Sequence, residues 1–312
     1  MIFKQIINIL IVAAPYGLIY GIMALGVFIT FRILDFPDLT VDGSFPLGAA
    51  IMALFIVNGF NLYIALFISF LGGITAGIIT ASIHNYIKVP GLLAGIITMI
   101  MLYSINIRIL GGSNLQILKR KTILTNIIDL FNKTNIPEEL ILIIFFIIIV
   151  IIIKLLLDLF FHTDLGLTLR AMGDNTQMVL NQGINPDILK LIGVGMSNGI
   201  VALSGAFFAQ YQKFADTNLG QGIIITGLAS VIIGEFIIRS NKIFLITLSV
   251  VLGATIIQTV EITGRMYGAY VFLKPTDLKL IKGFLLIVIL GISIILKQRK
   301  KTNKKIRTGL TL

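Results

Sequence analysis

Asp38, Thr40, Asp42 and Ser44 lie in one short polar stretch, Asp35-Phe-Pro-Asp-Leu-Thr-Val-Asp-Gly-Ser-Phe-Pro46. Carboxylates and hydroxyls so close together can line a passage for a polar solute, hold a coupling ion, or cap a helix that begins near Ser44. Their surroundings make them unusual. The run Ile11–Phe31 before them is almost wholly apolar, and so is Leu47–Val57 after them. Charged groups and open backbone are costly in hydrocarbon, so at membrane depth they must be buried in protein or face an aqueous cavity. Pro37, Gly43 and Pro46 also interrupt the backbone here. A second set of polar residues, Ser197, Asn198, Ser204 and Gln210, sits within a later apolar run. Each either lines the same passage or forms a hydrogen bond between helices. Gln258 and Glu261 close another run. Glu235 with Arg239, and Lys154 with Asp158, have the i,i+4 spacing of helical ion pairs.

The elements that must position these groups are membrane spans. The chain has 312 residues, of which 57% are hydrophobic and only 12% are charged. This excludes a soluble enzyme domain and leaves no length for a large one beside the membrane part. Cysteine is absent, which rules out disulfides, thiol chemistry and cysteine metal sites. His84 and His162 are far apart, so no histidine metal site is expected. The net charge of +11 is not a nucleic-acid signal: seven of the 25 basic residues lie between Lys297 and Arg307, just past the last apolar run. Such a tail anchors a cytoplasmic C-terminus and meets phospholipid head groups. Only Lys4 precedes the first run, which reads as a retained span.

Nine apolar segments are long enough to cross or nearly cross: Ile11–Phe31, Ser44–Val57, Leu62–Asn85, Gly91–Ile109, Leu140–Leu159, Ile188–Gln210, Gly222–Ile238, Ile243–Ile262 and Leu280–Leu296. Ser44–Val57 is short and reads as a broken or re-entrant element. The expected fold is an all-α polytopic bundle in the plasma membrane, residues 1–296, with a basic cytoplasmic tail, residues 297–312. Gly111–Glu139 reads as an interfacial helix and a loop. Small-residue patches at Gly72–Gly77, Gly193–Gly199 and Ser204–Ala206 mark close helix packing. Counting back from a cytoplasmic C-terminus puts His162–Asp187 inside. The N-terminus is outside if Ser44–Val57 crosses fully and inside if it does not.

The stretch from Thr163 to Pro186 is too polar to span and too patterned for an idle loop. Thr163 or Asp164 is a plausible N-cap; Leu165, Leu169 and Met172 recur at helical spacing; Gly173-Asp174-Asn175 breaks the pattern, and Gly183 and Pro186 end it. Such a helical pair docks on a membrane or in another protein's groove. With Arg170 as its lone basic residue, protein docking is favoured.

The pattern Gly166-Leu-Thr-Leu-Arg-Ala-Met-Gly-Asp-Asn175, followed by Gly183-Ile184, resembles the cytoplasmic coupling segment of ABC importer permeases of the branched-chain amino acid/ribose type. Phe31–Gly48, Val89–Met99, and Ser197–Gln212 continuing through Phe214–Asp216 to Gly227–Glu235 resemble one subfamily of those permeases, often associated with binding proteins for aromatic amino acids or related small solutes. The resemblance covers nearly the whole chain in the expected order. It implies a non-catalytic permease subunit that pairs with a second, identical copy. It implies an external solute-binding protein and cytoplasmic ATPase subunits that use the ATP. The chain itself has no Walker-type phosphate loop and would hold no cofactor. On the same footing, Gly166, Leu167, Arg170, Ala171, Gly173, Asn175 and Gly183 would form the ATPase contact. The rival readings are an ion-coupled secondary transporter using Asp38, Asp42 or Glu235, and an intramembrane enzyme, for which no nucleophile and base are paired.

Overall fold

The computed structural model describes residues 2–131 and 136–267, together with Gly283, Ile287 and Gly291 as isolated helical positions. The segment Leu280–Leu296 as a span, and the basic tail, lie outside the described residues. Among those residues seven helices are long and apolar enough to cross a membrane. They are α1 (Ile2–Phe28, continued by a π-turn, Ile29–Ile33), α3 (Leu62–Ile87), α4 (Gly91–Leu110), α6 (Glu138–His162), α9 (Pro186–Gln212), α10 (Ile223–Ile237, entered through a 3-10 turn, Thr217–Gly220) and α11 (Ile243–Tyr267). The shorter α2 (Val41–Val57) is 17 residues long, about 25 Å at the helical rise, and is buried along most of its length. Three surface helices complete the set: α5 (Ile123–Phe131), α7 (Asp164–Asp174) and α8 (Thr176–Asn181).

The bundle is helical as expected, with one small clip added to it. Strands β1 (Asn114–Gln116) and β2 (Phe214–Asp216) pair antiparallel, with Leu115 opposite Ala215. Ile117 N–H extends the ladder to the Lys213 carbonyl at 2.9 Å. This clip and α5 occupy the Gly111–Glu139 stretch, where a helix and a loop were expected.

Two ends of the bundle can be distinguished by what meets there. One carries the clip, α5 and the α2–α3 turn. The other carries α7, α8, the π-turn, and the α3–α4 and α10–α11 turns. The π-turn widens the last turn of α1, with Leu34 N–H bonded to the Ile29 carbonyl at 3.0 Å. Gly173 at the end of α7 lies directly on it: a Cβ at Gly173 would stand 1.8 Å from the Ile33 oxygen. Helix α1 therefore starts at the end opposite α7.

The core is α2, α3 and α9, packed backbone to backbone. Added Cβ atoms would meet Ala202 O at 1.8 Å from Gly48, Asn198 O at 2.2 Å from Gly73, and Phe45 O at 1.9 Å from Gly205. The small-residue patches serve this close approach, which is the main source of contact between helices in lipid. Outward faces are apolar: Phe67, Ile100, Leu156 and Phe244 are all exposed.

Candidate functional site

The chain between the π-turn and α2 is held by one buried network. Asp38 forms an Asx turn, its Oδ1 accepting from Thr40 N–H at 2.9 Å. Its Oδ2 accepts from Asn198 Nδ2 at 2.6 Å. Asn198 Oδ1 in turn accepts from Ser44 Oγ at 2.6 Å. Thr40 Oγ1 lies 2.6 Å from Thr80 Oγ1, which ties in α3. Asp38, Thr40, Ser44, Thr80 and Asn198 are all at most 2% exposed. The break thus survives because protein, rather than lipid, surrounds its polar groups.

Asp42 does something the sequence did not indicate. The expectation that it caps its own helix is overturned: it sits in the first turn of α2, whose N-cap is Thr40. Its Oδ2 accepts from Gly222 N–H at 3.1 Å and its Oδ1 from Ile224 N–H at 2.8 Å. Asp42 is therefore the cap of α10, whose own N-cap residue, Gly222, has no side chain to offer. A carboxylate suits the positive end of that helix dipole. Pro46 helps seat the contact. Lacking an N–H, it leaves the Asp42 carbonyl without its helical donor. Gly220 packs on that oxygen, where a Cβ would stand 1.7 Å away.

The other polar candidates lie apart from this network or at its edge. Ser197 Oγ donates to the Gly26 carbonyl at 2.7 Å and lies 3.4 Å from Thr30 Oγ1. Ser204 Oγ donates to the Ile19 carbonyl at 2.7 Å. Both bind α9 to α1. Gln210 Oε1 accepts from Ile123 N–H at 3.0 Å and so holds the start of α5. Lys154 and Asp158 form the buried pair their spacing suggested. Asp158 Oδ1 also accepts from Thr247 Oγ1 at 2.8 Å. Glu235 does not pair with Arg239; it binds Arg32 at the end of α1. Thr80 and Arg32 were missed because a lone threonine in an apolar helix and a lone arginine at a helix end carry no local signature.

The 163–186 segment folds as its capping residues dictate. Thr163 Oγ1 accepts from Gly166 N–H at 3.3 Å to start α7, and Asn175 Oδ1 accepts from Met178 N–H at 3.2 Å to start α8. Gly183 has φ +77°, which turns the chain toward α9. Leu169, Met172 and Val179 are buried against the bundle, while Leu165, Leu167, Met178 and Leu180 are exposed. Of the three leucine and methionine positions at helical spacing, Leu169 and Met172 meet the bundle and Leu165 faces away. Gly166 packs on the end of α6, where a Cβ would be 2.1 Å from the Phe160 oxygen. Ala171 packs against the core, and Arg170 turns inward toward the π-turn and α10.

Residues 6–290 match the family model described as branched-chain amino acid transport system / permease component. The chain is 40% identical over 290 residues to a tyrosine transport system permease protein of Clostridioides difficile, covering 93% of each. It is 36% identical over 284 residues to an uncharacterised protein of Rickettsia prowazekii, covering 91% of this chain and 97% of that one. A chain of PsaBC from Streptococcus pneumoniae, solved in complex with Fab, superposes with a TM-score of 0.50 at 16% identity, covering 90% and 89% of the two chains, and shows the shared fold. A multi-pass helical protein that matches this family along most of its length belongs to it: the chain is the membrane permease subunit of an ABC importer.

Proposed function

We propose that the chain imports a small organic solute of the amino acid class, aromatic amino acids first among them. The tyrosine transport permease relative, similar over nearly the full length, supports that class. An external binding protein delivers the solute, two identical permease copies form the passage, and ATPase subunits at the α7–α8 end supply the work. That end is then cytoplasmic, the N-terminus external, and the tail 297–312 cytoplasmic in a plasma-membrane protein. Helix α2 with the break before it serves as one interrupted span of the single permease domain 1–296.

The observation that carries the mechanism is the continuity between α7 and the interior. Gly173 rests on the Ile33 carbonyl of the π-turn. The π-turn leads into the break, the break is bonded to α9 through Asp38 and Asn198, and Asp42 grips the start of α10. Movement of α7 by the ATPase has a contiguous set of fixed contacts through which to reach the middle of the bundle. The exposed Leu165, Leu167, Met178 and Leu180 offer the apolar docking face. Arg170, Asn175 and Gly183 shape the segment from within. Along the passage, Asp38, Thr40, Asp42, Ser44 and Asn198 set the helix positions, and Ser197, Ser204 and Gln210 fasten α9.

An ion-coupled transporter would need a carboxylate ready to take a cation. Asp38, Asp42 and Glu235 each already receive N–H donors from fixed partners. The test is uptake of labelled tyrosine into liposomes containing the permease and ATPase with loaded binding protein outside. Uptake is expected only with ATP inside; uptake without the ATPase subunit overturns the reading.

A further inference from the structure

At the end of the bundle that carries α7, a cavity of about 470 Å³ opens between that helix, the π-turn, the last turn of α10 and the start of α11. This is within the size range of small-molecule sites. Half-buried Ile238 and Ile246 give it an apolar margin over the fully buried Phe28, and its wall carries charges of both signs. Arg32 and Glu235 are committed to one another there. Arg170 and Asp174 are not. They stand four residues apart on α7, the spacing at which such residues pair on an isolated helix. Yet both face the cavity, and neither is among the ion pairs of the described residues. Arg239 faces them across the opening, its guanidinium 5.4 Å from the Phe236 ring centre.

Two guanidinium groups and one carboxylate outside the ion pairs of the described residues, with an apolar margin, define a ligand of matching polarity. With Arg32 and Glu235 committed to each other, a phosphate head group would still meet Asp174 as a like charge, and a simple cation would meet Arg170 and Arg239. A zwitterion satisfies both signs, its carboxylate on Arg170 and Arg239 and its ammonium on Asp174, with a ring or branched side chain against Ile238 and Ile246. We infer that this cavity binds a free α-amino acid with an aromatic or large apolar side chain, on the side where solute is released, and that occupation slows further transport. The ligand bridges α7 to α1, α10 and α11, the joint that has to work when the ATPase moves α7. This regulation rests on the reading of the chain as an amino acid importer with α7 as its docking segment.

The test begins with the full chain in nanodiscs and calorimetric titration of L-phenylalanine. Binding is expected, and roughly tenfold weaker binding for phenethylamine, which lacks the carboxylate, and for 3-phenylpropionate, which lacks the ammonium. Arg239→Gln and Asp174→Asn should each weaken L-phenylalanine binding by a similar factor. No binding at millimolar ligand, equal binding of the three compounds, or binding unchanged in both variants overturns the inference. The second arm loads unlabelled L-phenylalanine into the lumen of transport-competent liposomes. Uptake should slow several-fold for the unaltered chain and not for Arg239→Gln; equal slowing in both overturns the regulatory role. Failed amino acid uptake with intact cavity binding sinks the solute assignment alone. Intact uptake with no cavity binding sinks this inference alone.

Discussion

Asp42 grips the start of a helix 180 residues away, and this remote cap makes a sharp distinction between substitutions. Asp42→Asn retains an acceptor for one of the two N–H groups and should cost about 1 kcal/mol. Asp42→Leu strands both N–H groups at a helix start inside the bundle and should cost about 2–5 kcal/mol. Melting in detergent micelles should separate the pair. Equal loss of uptake with unchanged melting would instead mean that the charge itself serves the solute. Asn198→Ala leaves Asp38 Oδ2 without its donor, while Ser44 Oγ keeps the Thr40 carbonyl at 3.1 Å, and should destabilise by about 1–3 kcal/mol, with folded yield as the measure. The sequence marked these residues as special because polar groups between apolar runs are costly. It did not say what each would hold. Glu235 illustrates the reason: its nearby arginine at i+4 was the natural partner, but the one it binds is Arg32, 203 positions away. Local spacing carries no information about a contact made only when distant helices pack.

Among elements, α7 and α8 were the most legible, because their boundaries are set by chemistry within a few residues of each other. Thr163 and Asn175 cap the two helices through their own side chains. The β1–β2 clip was illegible for the opposite reason. Three-residue strands show no periodicity, and their pairing joins residues about a hundred positions apart. The long helices were visible as apolar runs. Which face of α7 meets the bundle was not, since helical spacing alone does not say it: Leu169 and Met172 are buried and Leu165 is exposed. Two outcomes follow for the α7 element. Gly173→Val places side-chain atoms where the Ile33 oxygen lies and should part α7 from the π-turn. ATP hydrolysis should then persist while uptake per ATP falls several-fold, with normal folded yield. Leu167→Glu puts a charge on the exposed face proposed to dock the ATPase, without touching the bundle. It should reduce co-purification of the ATPase subunit while leaving the melting temperature of the permease unchanged; undiminished co-purification would remove Leu167 from that face.

For the whole molecule, the absence of cysteine makes topology directly measurable, since any introduced thiol is the sole one. Gln182→Cys at the α8 end should be shielded from an impermeant maleimide added to intact cells, and Ser113→Cys beside the clip should react. The reverse pattern would invert the proposed orientation and with it the side on which the ATPase docks. The backbone contacts among α2, α3 and α9 have a mechanical consequence. Where Gly48, Gly73 and Gly205 bring helix backbones together, no long side chain lies between them to take up a displacement by changing rotamer. The triad has little slack. A push delivered at one end is passed on almost undiminished, so α2, α3 and α9 should travel as one stiff body. The opening and closing of the passage is then expected at the borders of the triad, away from the start of α10 that Asp42 holds.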